Sequence, residues 1–578
     1  MDITTSAALG VAGALLLSTA GLTTPPGWKA AAVLALLLFL IIKIYRIFLY
    51  HKYFSPLRHL PGPTVSTAPG SKCLFMPTLT RGRWTQNNHF LFGQSINFIR
   101  ADSPIELYVK WMRQWPDAPF IRYLTFGNEE VIVANSIEAH KQIQQTHCYS
   151  FVKPTRFRKV IQEFAGNGIL LLEGSEHRAH RKMLGNPLSV PNIRKLQPIF
   201  EAKSKDLCKL LDHAAASTGV IDCTEVFTKA TLDIIGATVL GLDLENLSSE
   251  TFETRQDSHI AKIDNSGRRT YSFHEAYEVI FEQGLLGKIL LFANGFFPVR
   301  WIPIQENRKY KFCTDWVRRV LQQTISDRRT EVKRRMTFDK VESKQTNSRD
   351  LLTFIVEESM PGHPAESLKE DNFLGHLMQF MVAGHATSAD AITWCVYILA
   401  TRPDIQDKLR TEINHMLARA PHPTYNDINS CTYLENVIKE ALRIYAPSTS
   451  HHRAAGEEVT IDGLRIPKGT TVDIVPSVTM LNPSIWGIDS DTPDPTRWDR
   501  LAGDQLSPYA FQAFANGSRI CIGKSYAMLE MKCILIEIVP RYRFRAVDKP
   551  FTIENPGFAM RPTGLEVRLE KLSLVSRS

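Results

Sequence analysis

A mainly α-helical domain with a small β-rich lobe, preceded by an N-terminal transmembrane helix, is the fold class that this sequence predicts. Three observations carry it. Ala30 to Ile42 reads AAAVLALLLFLII without a charge. FIRYLTFG and EEVIVAN are two β-favouring runs around a Gly-Asn turn. Most segments beyond them repeat their apolar residues at helical rather than strand spacing.

Taken in chain order, residues 1–27 form an N-terminal apolar segment whose run from Ser6 to Ala20 is rich in Ala and Gly and ends at TTPPG. A second membrane pass and a cleaved signal both remain open for it. Residues 28–50 make the transmembrane anchor, since Trp28 to Tyr50 reaches spanning length when Lys43 and Arg46 snorkel to a boundary. Lys43, Arg46, Lys52 and Arg58 all follow the span. That bias sets the remainder in the cytoplasm. Residues 51–65 contain SPLRHLPGP, whose three prolines and one glycine suit neither helix nor sheet and read as a hinge. Residues 66–578 are then the catalytic domain. Its most polar run, Arg328 to Asp350, reads as a solvated connection between helices.

The composition, with 44% hydrophobic, 22% charged and 10% aromatic residues among 578, is globular and excludes collagenous or disordered classes. A net charge of +9 suits an anionic membrane face or an acidic partner. The basic residues do not gather into an arm and no nucleic-acid motif is present, so nucleic acid is not expected as a partner. Nine cysteines without CxxC pairs fit neither a disulfide framework nor a zinc site, and suit a reducing compartment.

One cysteine stands apart. Phe514 to Gly523 reads FANGSRICIG ahead of the apolar run AMLEMKCILIEIV. Gly517 and Gly523 allow a tight turn whose amides can point at the Cys521 sulfur, and the following helix N-terminus adds positive potential. Arg519 can reach an anionic group beside a metal, and Phe514 offers an aromatic wall. This stretch resembles the haem-binding loop of the cytochrome P450 family, F-x-x-G-x-R-x-C-x-G, with Phe514, Gly517, Arg519, Cys521 and Gly523 at every specified position. The resemblance implies that Cys521 is the axial ligand of the haem iron.

Further segments match in order. YLENVIKEALRIYAP resembles the family's E-x-x-R helix through Glu440 and Arg443, and DPTRW supplies Arg497 to complete a Glu-Arg-Arg triad. Thr496 departs from the acid usual there and puts a secondary contact in doubt. IPKGTTV and the Trp486-Gly487 pair match the segment between them. GSEHRAHRK resembles the W-x-x-x-R helix, with His177 in place of Trp and Arg181 as the cation, while Arg453 of HHRAA stands where a strand arginine meets the second propionate. From Asp371 to Ala400 a helix of roughly 45 Å is expected. It carries Ala383, Gly384 and Thr387 where the family has its oxygen-binding notch, A-G-x-(D/E)-T, and Gly384 with Thr387 can loosen the helix locally. Ala386 replaces the usual acid, so another proton route, by water or His385, is expected.

The resemblance, running from about Pro56 to the C-terminus, implies a haem-thiolate monooxygenase that uses haem b, O2 and NADPH-derived electrons to hydroxylate or epoxidise a lipophilic small molecule. It implies NADPH-cytochrome P450 reductase as partner, with cytochrome b5 as an optional second donor, and an endoplasmic-reticulum membrane with the catalytic domain facing the cytosol. QFMVAG, the residues from Pro447 to His452 and NPGFAM stand where the family lines its substrate pocket; LLGKILLFANGFFPVRWIP reads equally as core or as a segment dipping into the bilayer. The style of anchor is similar to fungal microsomal members of secondary metabolism, which points to terpenoid or polyketide-derived substrates. Two rivals stay open: a haem-thiolate isomerase or dehydratase working without O2 and reductase, and a non-catalytic membrane haem-binding protein.

Overall fold

The computed structural model describes residues 28–63, 89–247, 262–263, 269–270, 273–281, 283–295, 297–338, 350–360 and 370–572. The apolar run from Ser6 to Ala20 and the middle of the polar Arg328 to Asp350 run lie outside these. Helix α1, Trp28–Ile44, continues without a break into a π-helical stretch, Tyr45–Phe54. Val33–Phe54 is long and apolar enough to cross a membrane, and its most apolar 18-residue stretch holds no buried residue.

The apolar helix does not end freely. Wider π-helical turns offset their carbonyls from the ordinary ladder, and two of these carbonyls accept from the domain: Ile47 O from Asn128 Nδ2 and His51 O from Arg122 Nη2, each at 2.8 Å. The proline-rich stretch read as a hinge also packs. Leu57 is buried, Pro61 O accepts from Arg122 N at 2.8 Å, and a Cβ on Gly62 would lie 1.8 Å from Arg122 O, so only glycine fits there. Proline does remove donors from this stretch, but its carbonyls and its leucine still find partners on the neighbouring strand.

That strand is β1, Phe120–Leu124, which pairs antiparallel with β2, Glu130–Ala134, as the sequence predicts. Gly127 and Asn128 turn the chain with φ of 72° and 55°, the left-handed region those residue types tolerate. With β3 (Phe151–Val152), β4 (His451–Ala455) and β5 (Thr471–Ile474), the hairpin builds a five-stranded sheet in the order β1-β2-β5-β4-β3. This sheet is the small lobe.

The large lobe is helical. Its axis is α6, Glu370–Thr401, one residue longer at each end than the expected Asp371 to Ala400. Around it lie α2 (Thr155–Ala165), α3 (Gly174–Gly185), α4 (Cys223–Ile235), α7 (Thr432–Ile444) and α8 (Lys524–Ile538), while α5 (Leu285–Asn294) packs on α2. Helix α4 packs on α6 most extensively. Gly384 permits that approach, because a Cβ there would meet Ile235 Cδ1 at 2.5 Å. Across the other side, His376 of α6 accepts from Ile169 N at 3.0 Å and its Nε2–H donates to His180 Nδ1 of α3 at 2.8 Å.

Candidate active site

The loop before α8 explains its own sequence. Gly517 has φ of 67°, and a Cβ there would lie 2.1 Å from Gln144 O, so this glycine lets the loop press against the Gln142–Thr146 turn. Cys521 N donates to Phe514 O at 2.8 Å, and Asn516 N to Gln144 Oε1 at 3.0 Å, which close the turn. Cys521 is exposed to accessible space although protein surrounds it on all sides, so its sulfur lines an internal chamber. The other seven described cysteines are buried. Burial pushes the Cys521 thiol up, while the Gly523 amide, Arg181 and Lys524 pull it down. Gly523 thus serves the sulfur as the sequence suggested, and Gly517 serves the turn.

The same contrast recurs on α6. Ala383 and Thr387 are exposed, one turn apart, on a helix whose flanking turns are buried. The helix runs unbroken through them, and instead of opening the ladder Thr387 Oγ1 donates to Ala383 O at 2.6 Å. His385 is fully buried and its Nδ1–H donates to Met381 O at 3.1 Å, so the ring turns to its own helix. Ala386 is half-buried beside them.

Three guanidinium groups, one lysine and one histidine gather with a single carboxylate near the thiol. Glu173 binds Lys153 Nζ at 3.2 Å and pairs with Arg519. Arg519 also donates to Leu172 O at 3.1 Å, and its Nε is buried without a hydrogen-bond partner among the described residues. Burial and then the neighbouring cations lower Lys153 to about 7, His177 to about 4 and Arg453 to about 10. Arg181, lowered by burial, is drawn back up by Cys521 and Tyr149. A cluster so short of negative charge fits a group that brings carboxylates to the side of a thiolate, as haem brings its two propionates. Cys521, His177, Arg181, Arg453 and Arg519 could therefore hold it.

Lys153, Glu173 and Tyr149 are members that sequence reasoning missed. Lys153 sits alone before a proline, and Glu173 differs from other acids only in the company the fold gives it. Tyr149 hydrogen-bonds His177 Nδ1 at 3.2 Å and stacks under Arg178.

Glu440 and Arg443 are fully buried and joined by two bonds of 3.0 and 2.8 Å; Arg497 Nε reaches Glu440 at 3.5 Å. Thr496 takes no part, its hydroxyl donating to Asp494 at 2.5 Å. Asp489 instead binds Arg497 at 2.9 Å, and Trp498 Nε1 donates to Glu440 at 3.0 Å.

The cytochrome P450 family profile matches residues 85–569. Cytochrome P450 monooxygenase sphH of Aspergillus fumigatus is 27% identical over 89% of this chain and 88% of its own. Cytochrome P450 monooxygenase 128 of Postia placenta is 28% identical over 93% and 94%. Cytochrome P450 3A29 of Sus scrofa is 25% identical over 72% and 78%.

Proposed function

The chain belongs to the cytochrome P450 family, and from that premise we propose that it is a membrane-anchored monooxygenase oxidising a lipophilic small molecule in fungal secondary metabolism, such as a terpenoid or a polyketide. One observation carries the site: of eight described cysteines, Cys521 alone meets accessible space, and it does so in the interior. When bound, thiolate-ligated haem supplies the insertion of one oxygen atom from O2, with electrons originating in NADPH.

The chain's own residues divide the remaining tasks. Cys521 offers the sulfur, and Phe514 walls the loop. Arg181, Arg453 and Arg519 neutralise the propionates, His177 offers them a hydrogen bond, and Lys153 is added from the fold. Ala383 and Gly384 keep the helix low on the opposite wall, while Thr387 holds a hydroxyl there able to organise water and pass a proton. The Glu440, Arg443 and Arg497 triad fixes the floor. Residues 28–50 anchor the protein in the endoplasmic-reticulum membrane, and 66–578 face the cytosol, where NADPH-cytochrome P450 reductase docks on the basic thiolate side. Support for the fungal reading comes from relatives named as monooxygenases of Aspergillus and Postia.

Two measurements test this. Cys521→His abolishes the thiolate signature of the reduced, carbon monoxide-bound spectrum; its retention assigns the ligand elsewhere. Membranes holding the chain and the reductase convert members of a lipophilic panel only with NADPH and O2. Conversion without either supports the isomerase and overturns the monooxygenase reading.

A further inference from the structure

Next to the cation cluster on β4, but with its side chain directed the other way, His452 belongs to a second polar network. Its strand neighbour on β5 is Asp473, which is fully buried. His452 Nδ1–H donates to Asp473 Oδ1 at 2.6 Å. The other carboxylate oxygen accepts from Tyr123 OH at 2.6 Å and Tyr108 OH at 2.8 Å. Three donors satisfy Asp473 and hold it ionised, and its charge raises the proton affinity of the imidazole against burial. The ring is thus locked in orientation, with Nε2 left over.

That nitrogen lies 3.3 Å from Ser450 Oγ. About a third of the His452 side chain is accessible, although protein encloses it on all sides, the same signature of an internal chamber that Cys521 shows. Its ring contacts Phe157 at 5.6 Å, and Phe157 leads through Phe558 to Phe164 and Phe292. These aromatics come from α2, α5 and the NPGFAM loop, which is tied to the Pro447–Ser450 stretch by Met560 N donating to Pro447 O and Thr449 Oγ1 to Phe558 O. The nearby Lys288 is already spent on Glu554.

We propose that His452, fixed by Asp473 and seconded by Ser450, is the specificity-determining polar anchor of the substrate chamber, and that it selects an acceptor oxygen, carbonyl or carboxylate, on an otherwise apolar substrate. An aromatic chamber alone sorts molecules by shape and accepts any hydrocarbon that fits. A preoriented donor at its edge changes that, because a substrate lacking the oxygen leaves His452 Nε2 with only the long 3.3 Å contact to Ser450 Oγ.

This deepens the proposed function and rests on the pocket reading there. The test uses the full-length haem-loaded chain in lipid nanodiscs and equilibrium dialysis of two near-isosteric probes, 2-naphthylacetic acid and 2-ethylnaphthalene, with empty nanodiscs as the partition blank. The acid binds the wild type about tenfold tighter, as a hydrogen bond to a charged donor warrants. His452→Phe collapses that preference by weakening the acid alone, and His452→Gln, which keeps a donor, retains most of it. If His452→Phe does not fold with Asp473 unpaired, His452→Phe/Asp473→Asn gives the same comparison. Equal affinity of the wild type for both probes, a preference surviving in His452→Phe, or equal weakening of both probes overturns the proposal. The carbon monoxide spectrum of the same preparations reports separately on the haem reading, and dialysis reads the anchor whatever that spectrum shows.

Discussion

Replacing Glu440 by alanine tests the triad through a quantity the structure lets one work out. Glu440 accepts from Arg443 twice, from Arg497, from Asp494 N at 3.1 Å and from Trp498. Arg497 keeps Asp489 and the Trp486 carbonyl when Glu440 is lost. Arg443 keeps the carbonyls of Met480 and Ser490 at 2.7 and 2.5 Å and the face of Trp486, but remains a fully buried cation without a paired carboxylate. Breaking a buried pair in this way costs about 3–5 kcal/mol. Against a domain stability of about 5–15 kcal/mol the loss is severe, and at about 2 °C per kcal/mol it lowers the melting temperature by roughly 6–10 °C. Circular dichroism during thermal and urea unfolding measures it, and haem content reports the consequence. Glu440→Ala/Arg443→Met removes the stranded charge as well, so it is less destabilised than Glu440→Ala alone. A loss within about 1 kcal/mol for the single variant, or a double variant as bad as the sum of both singles, refutes the reasoning.

Thr387→Ala removes the hydroxyl at the exposed turn of α6, so NADPH consumption continues while peroxide rises and product per NADPH falls severalfold; unchanged coupling assigns proton transfer to another group. Lys153 is lowered to about 7 from 10.5 in the fold, so between those values the unfolded chain binds the extra proton and haem-free protein gains stability as pH rises. Lys153→Met flattens that rise between pH 7 and 9 in urea midpoints, and an unchanged slope counts against the crowded-cation account. Glu530 is the opposite case: fully buried and without a charged partner, it is raised by burial to about 8 from 4.5, the neighbouring Ser388 hydroxyl only partly offsetting the rise. Its stabilising proton is therefore present below about 4.5 and lost as pH climbs through 8, so Glu530→Gln gains stability relative to wild type at pH 9 but not at pH 4. Equal effects at both pH values refute that assignment.

Local sequence was most informative where local physics decides. The Gly-Asn turn between β1 and β2 and the length of α6 follow from propensity and period, and the structure shows both. The E-x-x-R spacing put Glu440 and Arg443 on one helix face, where they meet. Contacts made by distant residues were not legible. Asp489 binds Arg497 in place of the absent acid at Thr496, and nothing in its neighbourhood announces that role. Lys153 and Glu173 join Arg519 only because β3, α3 and the cysteine loop converge. The hinge reading failed to foresee packing for a similar reason: proline composition describes what a segment cannot form by itself, and Arg122, which holds it, is contributed by a strand sixty residues on.

The carbonyls of Ile47 and His51 have a consequence beyond fold. A tether lets its cargo swing; a bracket does not. Asn128 and Arg122 hydrogen-bond the last turns of the apolar helix, so the fold itself holds that helix to the sheet. Under the anchor reading proposed above, the face turned towards a lipid surface is inherited from these two side chains, and weakening either one lets the body tilt like a ship with a loosened keel.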